Sequence, residues 1–473
     1  MTRRTLLHLP IAAAGLAAAE SPARYDEKLR PQFHFSPATG WTNDPNGLVF
    51  YKGQYHLFFQ HNPFDVKWGN MTWGHAVSTD MVHWKQGDNV LLPDKLGTMF
   101  SGSAVVDWTN SSGFQTGEDK PIVLFYTAAG GTSPESKGQP FTQCIAYSSD
   151  GGKTFTKYAG NPVVPNIVGE NRDPKVVWHA PTRRWVMVLF LDGNTYGFLT
   201  SPDLKKWTLF QKISIPKTSE CPDFFEMPVE NEPGVSKWVF TGANGNYLVG
   251  SVDGRRFEPE VMTQAVQEGA NYYAVQTFSD LPGNRRVQMS WMSGGQYPGM
   301  PFSQQMSVPY EFRLRKHGYA SYKIFATPIR EVEALRGTPK TWSDVALKPG
   351  ENPLAGIAGD GWDIVAEIDP GSAREVGFRL RGRTVTYRSN EKGRNNTLET
   401  GGKSAPLALN AGRVKLRILL DRSSIEIFGN DGELAMPFCF IPEDGAGLEL
   451  LTTGGEAKVV SLKMYPMTSI WRA

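Results

Sequence analysis

Short segments in which apolar and polar residues alternate recur along roughly the first 320 residues, and this two-residue period predicts β-strands. The clearest of them read YHLFFQ, IVLFYTA, RWVMVLFL, KWVFTGA and RVQMSWMS. No amphipathic helical segment precedes about residue 328. The pattern therefore predicts an all-β N-terminal region.

A short signature between these segments divides the region into repeats. Each copy has Ser, one spacer, Asp, a small loop and an aromatic residue, and the copies are Ser78–Trp84, Ser148–Phe155, Ser201–Trp207 and Ser251–Phe257. A Ser-x-Asp turn followed by an aromatic is typical of a hairpin that leads into an outer strand. Units of roughly 50 residues with about four strands predict a five-bladed β-propeller, whose blades begin near Asp44, Ser101, Asp173, Glu220 and Tyr272.

The pattern changes at Thr327–Arg336, where we predict a short helix with Thr327 as its cap and Pro328 in its first turn. Beyond it, alternation returns in VKLRILLDRSSIEIFGNDGELAM and predicts a β-sandwich. We therefore divide the chain into a propeller at residues 31–326, a helical linker at 327–340 and a sandwich at 341–473.

The N-terminus carries Arg3 and Arg4 ahead of an apolar stretch that ends in Ala17–Ala19, which is typical of a cleaved export signal. The stretch is too short for a membrane anchor. The paired arginines favour the twin-arginine route over the general secretory route. We therefore predict a signal peptide at residues 1–23 and an exported protein, periplasmic or extracellular, that does not associate with a membrane once the signal is removed.

The charge balance and composition exclude several function classes. The 49 basic and 47 acidic side chains nearly cancel and form no long single-sign run, so we expect no nucleic-acid partner. Three cysteines are too few for a disulfide framework, although one bridge is possible. His56 and His61 lack the spacing of a zinc site, and no phosphate loop or dinucleotide fingerprint occurs. We therefore expect neither a metal nor a cofactor.

Three of the predicted blade starts carry an acid: Asp44 in WTNDPNG, Asp173 in NRDPKVVW and Glu220 in SECPDFFEMP. The first strand of each propeller blade lines the central axis, so these acids are expected to converge. Proline follows Asp44 and Asp173, and it biases the preceding residue toward an extended backbone. Each acid alone is better explained as a turn, ion-pair or loop residue. Their coincidence at matching positions in three units favours a catalytic site.

Paired carboxylates suit the cleavage of glycosides. One carboxylate attacks the anomeric carbon while a second, protonated carboxyl group donates its proton to the leaving oxygen. The acid needs a raised pKa, which burial beside the apolar DFFEMP segment and neighbouring negative charges would supply.

Seven segments, in order along the chain, resemble the motifs of glycoside hydrolase family 32, the β-fructofuranosidases that include invertases, levanases and exo-inulinases. They read WTNDPNG, GQYHLFFQHNP, WGHAVSTDMVHW, FSGSAV, NRDP, ECPDFF and DRSSIEIFGNDG. The resemblance implies a five-bladed propeller with a C-terminal β-sandwich, retention of anomeric configuration, and fructan or sucrose as substrate. It also implies that Asp44 is the nucleophile, that Glu220 is the acid and then the base, and that Asp173 binds fructose hydroxyls and stabilises the transition state.

The same resemblance implies a fructose pocket lined by residues near these acids, namely Trp41, Thr42, Asn43, Gln60, Trp68, Phe100, Ser101, Arg172 and Trp291. For Trp68 and Phe100, core packing is the alternative explanation. Asn271 stands where many relatives have Asp, which bears on substrate preference at the outer subsites.

Three functions remain open from the sequence: hydrolysis of terminal fructose, fructosyl transfer at the same site, and a fructan-binding propeller without catalysis. Because Asp44 and Glu220 are both present, an enzyme is favoured over a binding module. The sequence does not indicate a protein partner.

Overall fold

The computed structural model describes residues 25–253, 256–318, 321–389 and 395–471, so the predicted signal at residues 1–23 lies outside the described residues. Strands dominate the described chain, and five sheets, each with at least four antiparallel strands, follow one another between residues 40 and 328. Within the described ranges, no helix has the length and apolar character needed to cross a membrane.

The first three sheets are built mainly from strands that are consecutive in the chain. The first sheet contains β1 (Gly40–Tyr51), β2 (Gln54–Asn62), β3 (Thr72–Ser78) and β4 (Lys85–Gln86). The second contains β5 (Thr98–Val106), β6 (Ile122–Ala129), β7 (Thr142–Ser148) and β8 (Thr156–Lys157). The third contains β9 (Arg172–His179), β10 (Arg184–Asp192), β11 (Thr195–Ser201) and β12 (Thr208–Ser214).

The fourth sheet contains β13 (Asp223–Pro228), β14 (Ser236–Thr241), β15 (Asn246–Val252) and β16 (Phe257–Pro259), with β17 (Gln264–Ala265) also paired to β15. The fifth contains β18 (Tyr273–Thr277), β19 (Val287–Trp291), β21 (Tyr310–Lys316) and β22 (Tyr322–Pro328). The intervening β20 (Phe302–Ser303) pairs in parallel with the start of β1. Short 3-10 helices occur at Pro134–Ser136, Ala180–Thr182 and Pro282–Asn284.

The fifth sheet meets the first, as a propeller requires. Ser279, just beyond β18, donates its backbone N–H to the carbonyl of Leu48 at 2.8 Å and accepts from the N–H of Phe50 at 3.0 Å. The inner strands β1, β5, β9, β13 and β18 contact one another in that order, and β18 contacts β1. The five-bladed propeller predicted from the repeats is confirmed, and its inner strands begin close to the predicted blade starts.

The Ser-x-Asp signature forms the predicted turn into the outer strand. Ser78 ends β3 and donates from Oγ to Oδ1 of Asp80 at 2.9 Å. The same Oδ1 accepts the backbone N–H groups of Val82 at 2.9 Å and His83 at 2.8 Å. The short side chain of Asp80 thus accepts the hydrogen bonds of the donors in the turn, and strand β4 follows the turn.

The predicted junction helix is shorter and tighter than the sequence indicates. It is a 3-10 helix, Arg330–Leu335, and Thr327 and Pro328 belong to strand β22 rather than to its cap and first turn. The buried side chains that follow β22 are three residues apart, at Ile329, Val332 and Leu335. Because a 3-10 helix has three residues per turn, this spacing aligns all three on one buried face.

Eleven strands after this helix form two facing sheets, as the predicted β-sandwich requires. In chain order they are β23 (Lys340–Leu347), β24 (Trp362–Asp369), β25 (Glu375–Leu380), β26 (Arg383–Arg388), β27 (Thr397–Thr400), β28 (Lys403–Pro406), β29 (Val414–Leu420), β30 (Ser424–Gly429), β31 (Leu434–Cys439), β32 (Leu448–Thr453) and β33 (Ala457–Pro466). One sheet has the order β23-β33-β24-β29-β30-β31 and the other β28-β27-β26-β25-β32. A 3-10 turn, Asn430–Gly432, joins β30 to β31.

A buried ionic cluster joins the sandwich to the segment that enters the propeller. Nδ1 of His34 lies 2.8 Å from Asp421, and Nε2 lies 2.6 Å from Glu426. Burial acts to lower the pKa of His34, but the two carboxylates outweigh it and raise the pKa to about 9. His34 is therefore a cation at neutral pH, held between two anions of the sandwich. Nearby, the rings of Tyr310 and Phe428 meet edge to face across the same interface, 5.0 Å apart.

Candidate active site

A cavity of about 190 Å³ lies at the end of the propeller axis where the inner strands begin. Ten of the residues singled out in the sequence line it: Asn43, Asp44, Gln60, Trp68, Phe100, Ser101, Arg172, Asp173, Glu220 and Trp291. Three further residues line it that the sequence does not assign to the site: Met71, Cys221 and Tyr273. The convergence of acids from three blades, expected from the propeller, is therefore present.

Irregularities in the inner strands turn the key side chains toward this cavity. The register of β1 shifts between Thr42 and Pro45, and that of β5 shifts between Phe100 and Gly102. The pairing of β9 with β10 shifts across Asp173 and Pro174. A bulge inserts an extra residue, bends the strand and redirects its side chains. Asp44, Ser101 and Asp173 each lie within such a shift.

The backbone of Asp173 differs from the sequence expectation. Proline favours an extended residue before it, but Asp173 has φ of 64°, in the left-handed region. Its N–H donates to Oγ1 of Thr127 at 2.9 Å, and its carboxylate accepts the N–H of Cys221 at 3.1 Å. These contacts fix a conformation that non-glycine residues rarely adopt, and such strain is common at functional sites.

Asp44 is surrounded by hydrogen-bond donors. Ser101 donates from Oγ to Oδ2 at 2.5 Å, and the side-chain amide of Asn43 donates to Oδ1 at 3.0 Å. Burial raises the pKa of Asp44, and the charge of Glu220 adds to this, whereas the hydrogen bonds from Ser101 and Asn43 lower it. The donors aim the carboxylate and favour its ionised form against the effect of burial.

Cys221 connects two of the acids. Its Sγ lies 3.5 Å from Oδ2 of Asp44 and 3.4 Å from Oδ2 of Asp173. Burial and the neighbouring carboxylates raise the pKa of the Cys221 thiol well above its usual value. It is therefore a neutral donor between two carboxyl groups. All three cysteines of the chain, Cys144, Cys221 and Cys439, are free.

Burial raises the pKa of Asp173 to about 7; Arg172 opposes this rise, and the charges of Asp44 and Glu220 add to it. Arg172 reaches across the cavity, because its Nη2 lies 2.6 Å from Oε1 of Glu220. The guanidinium also packs over the ring of Phe190, 4.7 Å from its centroid.

Glu220 is held through both carboxylate oxygens. Oε1 accepts from Arg172, and Oε2 accepts from the hydroxyl of Tyr273 at 2.5 Å. The expectation of a raised pKa for the catalytic acid stays a prediction. In the sequence, only one feature could have assigned Tyr273 to the site: its position at the predicted start of the fifth blade, where no acid occurs.

Gln60 presents an unsatisfied amide to the cavity. The residue is 2% exposed, and neither Oε1 nor Nε2 has a hydrogen-bond partner among the described residues. A buried polar group without a partner is costly, so an amide of this kind is expected to bind a ligand with hydroxyl groups. Trp68 is 56% exposed at the cavity and meets Phe100 edge to face, so core packing does not explain its position.

Two predicted pocket residues act from behind the cavity. The indole N–H of Trp41 donates to Oδ1 of Asn43 at 2.9 Å, which orients the amide that binds Asp44. Thr42 is fully buried and donates from Oγ1 to the carbonyl of Gln60 at 3.0 Å. Neither side chain is among those that line the cavity. Both support residues that do.

Asn271 also lies away from the cavity lining. Its amide nitrogen donates to the carbonyl of Ser293, and its Oδ1 accepts the N–H of Cys439 in the sandwich at 2.8 Å. The position that bears on outer-subsite preference in the sequence therefore joins the two domains in the structure.

Sequence profiles of known families match nearly the whole described chain. Residues 34–328 match the glycosyl hydrolases family 32 N-terminal domain, and residues 331–466 match the glycosyl hydrolases family 32 C terminal region. A levanase of Bacillus subtilis (strain 168) is 41% identical over 502 residues, which cover 96% of this chain and 73% of that protein. An extracellular exo-inulinase of Aspergillus awamori is 30% identical over 94% of this chain and 96% of that protein.

Solved structures have the same architecture. The crystal structure of the exo-inulinase from Aspergillus awamori superposes with a TM-score of 0.84 at 29% identity, covering 94% of this chain and all of that one. A β-fructofuranosidase from Schwanniomyces occidentalis, complexed with fructosyl-erythritol, superposes with a TM-score of 0.81 at 27% identity. It covers 94% of this chain and 99% of that one.

Proposed function

Since the chain belongs to glycosyl hydrolases family 32, we propose that it releases terminal β-D-fructofuranosyl residues from fructans and sucrose through Asp44, Asp173 and Glu220. The observation that carries the assignment of these residues is their convergence in one small cavity beside the unsatisfied amide of Gln60. Hydroxyl groups of a sugar match that amide, because it offers one donor and one acceptor group.

In the first step, an ionised Asp44 attacks the anomeric carbon of the bound fructosyl unit while Glu220 donates its proton to the leaving oxygen. The bond between the anomeric carbon and the leaving oxygen breaks, and an ester to Asp44 forms. Ser101 and Asn43 aim the attacking carboxylate through their hydrogen bonds. Asp173 accepts hydrogen bonds from fructose hydroxyls, and these strengthen as charge develops on the ring.

In the second step, Glu220 acts as a base toward water, which attacks the same carbon and releases Asp44. The hydrogen bonds from Arg172 and Tyr273 keep the carboxylate of Glu220 in one orientation through both steps. Two displacements at one carbon retain the anomeric configuration.

The size of the cavity supports action on chain ends. Its volume of about 190 Å³ is below the range of about 300 to 1,000 Å³ typical of small-molecule sites. Such a cavity suits one terminal sugar unit rather than the middle of a polymer. We therefore expect steady release of free fructose from inulin and levan, without early mixed oligosaccharides.

The test compares wild type with Asp44→Asn and Glu220→Gln on sucrose, inulin and levan, scoring fructose and oligosaccharides. We expect each variant to lose at least about a thousandfold in kcat, because each removes a group that reacts. Asp119→Asn, at a partly exposed carboxylate paired with Lys52, is the matched control and should keep full activity. Wild-type release of fructose by Asp44→Asn would contradict the assignment, and kestoses as the main product at high sucrose would contradict hydrolysis.

We also propose export through the twin-arginine route, on the basis of Arg3 and Arg4 ahead of an apolar stretch. The similar Aspergillus exo-inulinase is itself named as extracellular. Replacing both arginines by lysine keeps the charge and should retain the full-length precursor in the cytoplasm. Unchanged export of the double variant would contradict this route.

A further inference from the structure

A second cavity, of about 380 Å³, lies at the other end of the propeller's inner strands. Its walls include Val106 at the end of β5, Val177 and Trp178 near the end of β9, and Glu226 within β13. Asp280, three residues beyond the end of β18, completes the ring. Four of the five inner strands therefore run from the active-site cavity at their starts to this second cavity at their ends.

The distance between the two cavities follows from strand geometry. Ser101 lines the first cavity and Val106 the second, and five residues of β-strand span roughly 16 Å. A sugar unit in one cavity cannot extend directly into the other. The second cavity is thus a separate potential binding site on the opposite face of the propeller.

Five of the fourteen residues that line the second cavity are aromatic. Four tryptophans line it, namely Trp108, Trp178, Trp185 and Trp238. Two of these indoles are open to solvent, with Trp108 53% exposed and Trp178 37% exposed. Trp178 is fixed edge to face against Trp185 at 5.0 Å, and the indole N–H of Trp108 donates to Asp280 at 2.8 Å. Rigid aromatic faces presented to water are suited to stacking on the C–H faces of a sugar ring.

Polar groups of both signs lie among these indoles. Asp280 and Glu226 supply carboxylates, and Arg286 supplies a guanidinium. Arg286 donates from Nη2 to the backbone carbonyl of Glu226 at 3.0 Å and from Nη1 to that of Phe278 at 3.5 Å, whereas its Nε has no hydrogen-bond partner in the part of the chain that the structure describes. A charged ligand of either sign would be repelled by a group of like charge in this cavity. Uncharged hydroxyl groups can both donate and accept hydrogen bonds, so they can pair with the carboxylates and with the guanidinium alike.

From this combination of exposed indoles with mixed polar groups, we propose that the second cavity binds a neutral oligosaccharide segment of the fructan substrate, away from the catalytic centre. The choice of fructan rests on the proposed function, whereas the preference for a neutral carbohydrate rests on the cavity itself. The site would hold one part of a polymer, or a neighbouring chain, close to the enzyme while the active site removes terminal units. Sucrose, which has no polymer segment, would gain nothing from it.

The test uses the full chain with Trp178→Ala, and measures KM and kcat on levan and on sucrose. We expect KM for levan to rise roughly tenfold, as for the loss of an aromatic anchor, with kcat and the KM for sucrose within about twofold of wild type. Trp178→Phe keeps an aromatic face and should stay within about threefold of wild type on levan. Met262→Ala removes an apolar side chain that is 89% exposed outside the cavity, and it should change neither substrate.

Native electrophoresis through gels that contain levan gives a second readout that needs no turnover. In an Asp44→Asn background, the protein should be retarded by levan, and Trp178→Ala should abolish most of that retardation. If Trp178→Ala lowers the melting temperature, Glu226→Gln, at an exposed position, tests the same cavity without removing a ring.

Two results would overturn the proposal. One is unchanged levan KM and unchanged retardation in both Trp178→Ala and Glu226→Gln. The other is an equal rise in KM for levan and sucrose, because that would place the effect at the active site. Failure of wild type to hydrolyse either substrate would refute the proposed function instead, and levan retardation would still report on the second cavity.

Discussion

The phenol of Tyr273 donates a hydrogen bond to Oε2 of Glu220, with 2.5 Å between the two oxygens. The other oxygen of that carboxylate, Oε1, lies 2.6 Å from Nη2 of Arg172. Glu220 is thereby held from two sides, by residues that begin the third and fifth blades. The orientation of the proposed acid is set by side chains 48 and 53 residues away in sequence.

Tyr273→Phe should lower kcat on sucrose roughly tenfold, with little change in KM. The ring stays in place, but Glu220 loses one of the two contacts that orient it for proton transfer. Steady-state kinetics checks this. The matched control is Tyr272→Phe, whose hydroxyl binds Gln288 in the core at 2.7 Å, and which should lower the melting temperature without lowering kcat. An unchanged kcat in Tyr273→Phe would remove Tyr273 from the positioning role.

Ser101→Ala should move the acid limb of the kcat/KM profile to higher pH. The hydrogen bond from Ser101 lowers the pKa of Asp44, so its loss lets that pKa rise further above its usual value. At mildly acidic pH less Asp44 is ionised, and less of the enzyme can attack. The pH profile on sucrose measures the limb. Ser103→Ala, two residues along the same strand and bonded to Pro174 instead, should leave the limb unmoved.

Asp173→Asn should stabilise the fold at pH 8 by about 4 kcal/mol and leave it nearly unchanged at pH 4. The pKa of Asp173 is about 7 in the folded chain, above the ordinary value of 3.8 that applies when unfolded. As the pH rises between these values, the unfolded chain releases this proton more readily, so the folded state loses stability. Asparagine stays neutral and avoids that loss. Denaturant titrations at both pH values measure the difference, and an equal effect at both would contradict the raised pKa. The same substitution should sharply lower kcat.

The sequence is sufficient for the propeller and for the convergence of the three acids, because the Ser-x-Asp repeat and the blade starts are local patterns. Asp44 is found in this way, whereas Gln60 is predicted from the resemblance to the family. The left-handed backbone of Asp173 cannot be predicted from the sequence, because Pro174 by itself favours an extended residue before it. Only the tertiary contacts with Thr127 and Cys221 override this preference.

Other differences have the same origin in tertiary structure. Bulges in β1, β5 and β9 decide which side chains face the cavity, and alternation alone carries no signal for them. Comparison with the family links the position of Asn271 to substrate preference at the outer subsites, but in the structure its side-chain amide binds Ser293 and the sandwich. The sequence predicts a longer junction helix because Thr327 and Pro328 match a cap pattern, whereas strand β22 absorbs both residues.

His34→Gln should destabilise the protein by about 3 to 5 kcal/mol at pH 7, because two buried carboxylates lose their cation. His34 has a pKa of about 9 when folded and near 6.5 when unfolded, so its contribution is complete below pH 6.5. That contribution disappears as the pH rises through 9, and the gap between wild type and variant should close by pH 10. Denaturant unfolding across this range is the measurement. His83→Gln, at an exposed His–Asp pair, should cost less than about 1 kcal/mol.

Asn271→Asp should lower stability by about 1 to 3 kcal/mol without changing the ratio of kcat/KM on inulin to that on sucrose. A carboxylate cannot donate to the carbonyl of Ser293, so two acceptors would face each other. Thermal unfolding and competition kinetics check the two parts. A changed substrate ratio at unchanged stability would return this position to the substrate-binding side.

The His34 cluster also constrains when the molecule can finish folding. Its two partners, Asp421 and Glu426, lie 387 and 392 residues later in the chain. During synthesis from the N-terminus, the segment that leads into the first blade leaves the ribosome long before these partners exist, and contacts so distant in sequence form slowly. A nascent chain that stops before Asp421 would carry this histidine without its anions. The first described segment of the protein is therefore among the last to reach its final contacts. The ionic contacts between this segment and the sandwich can form only when translation is almost over.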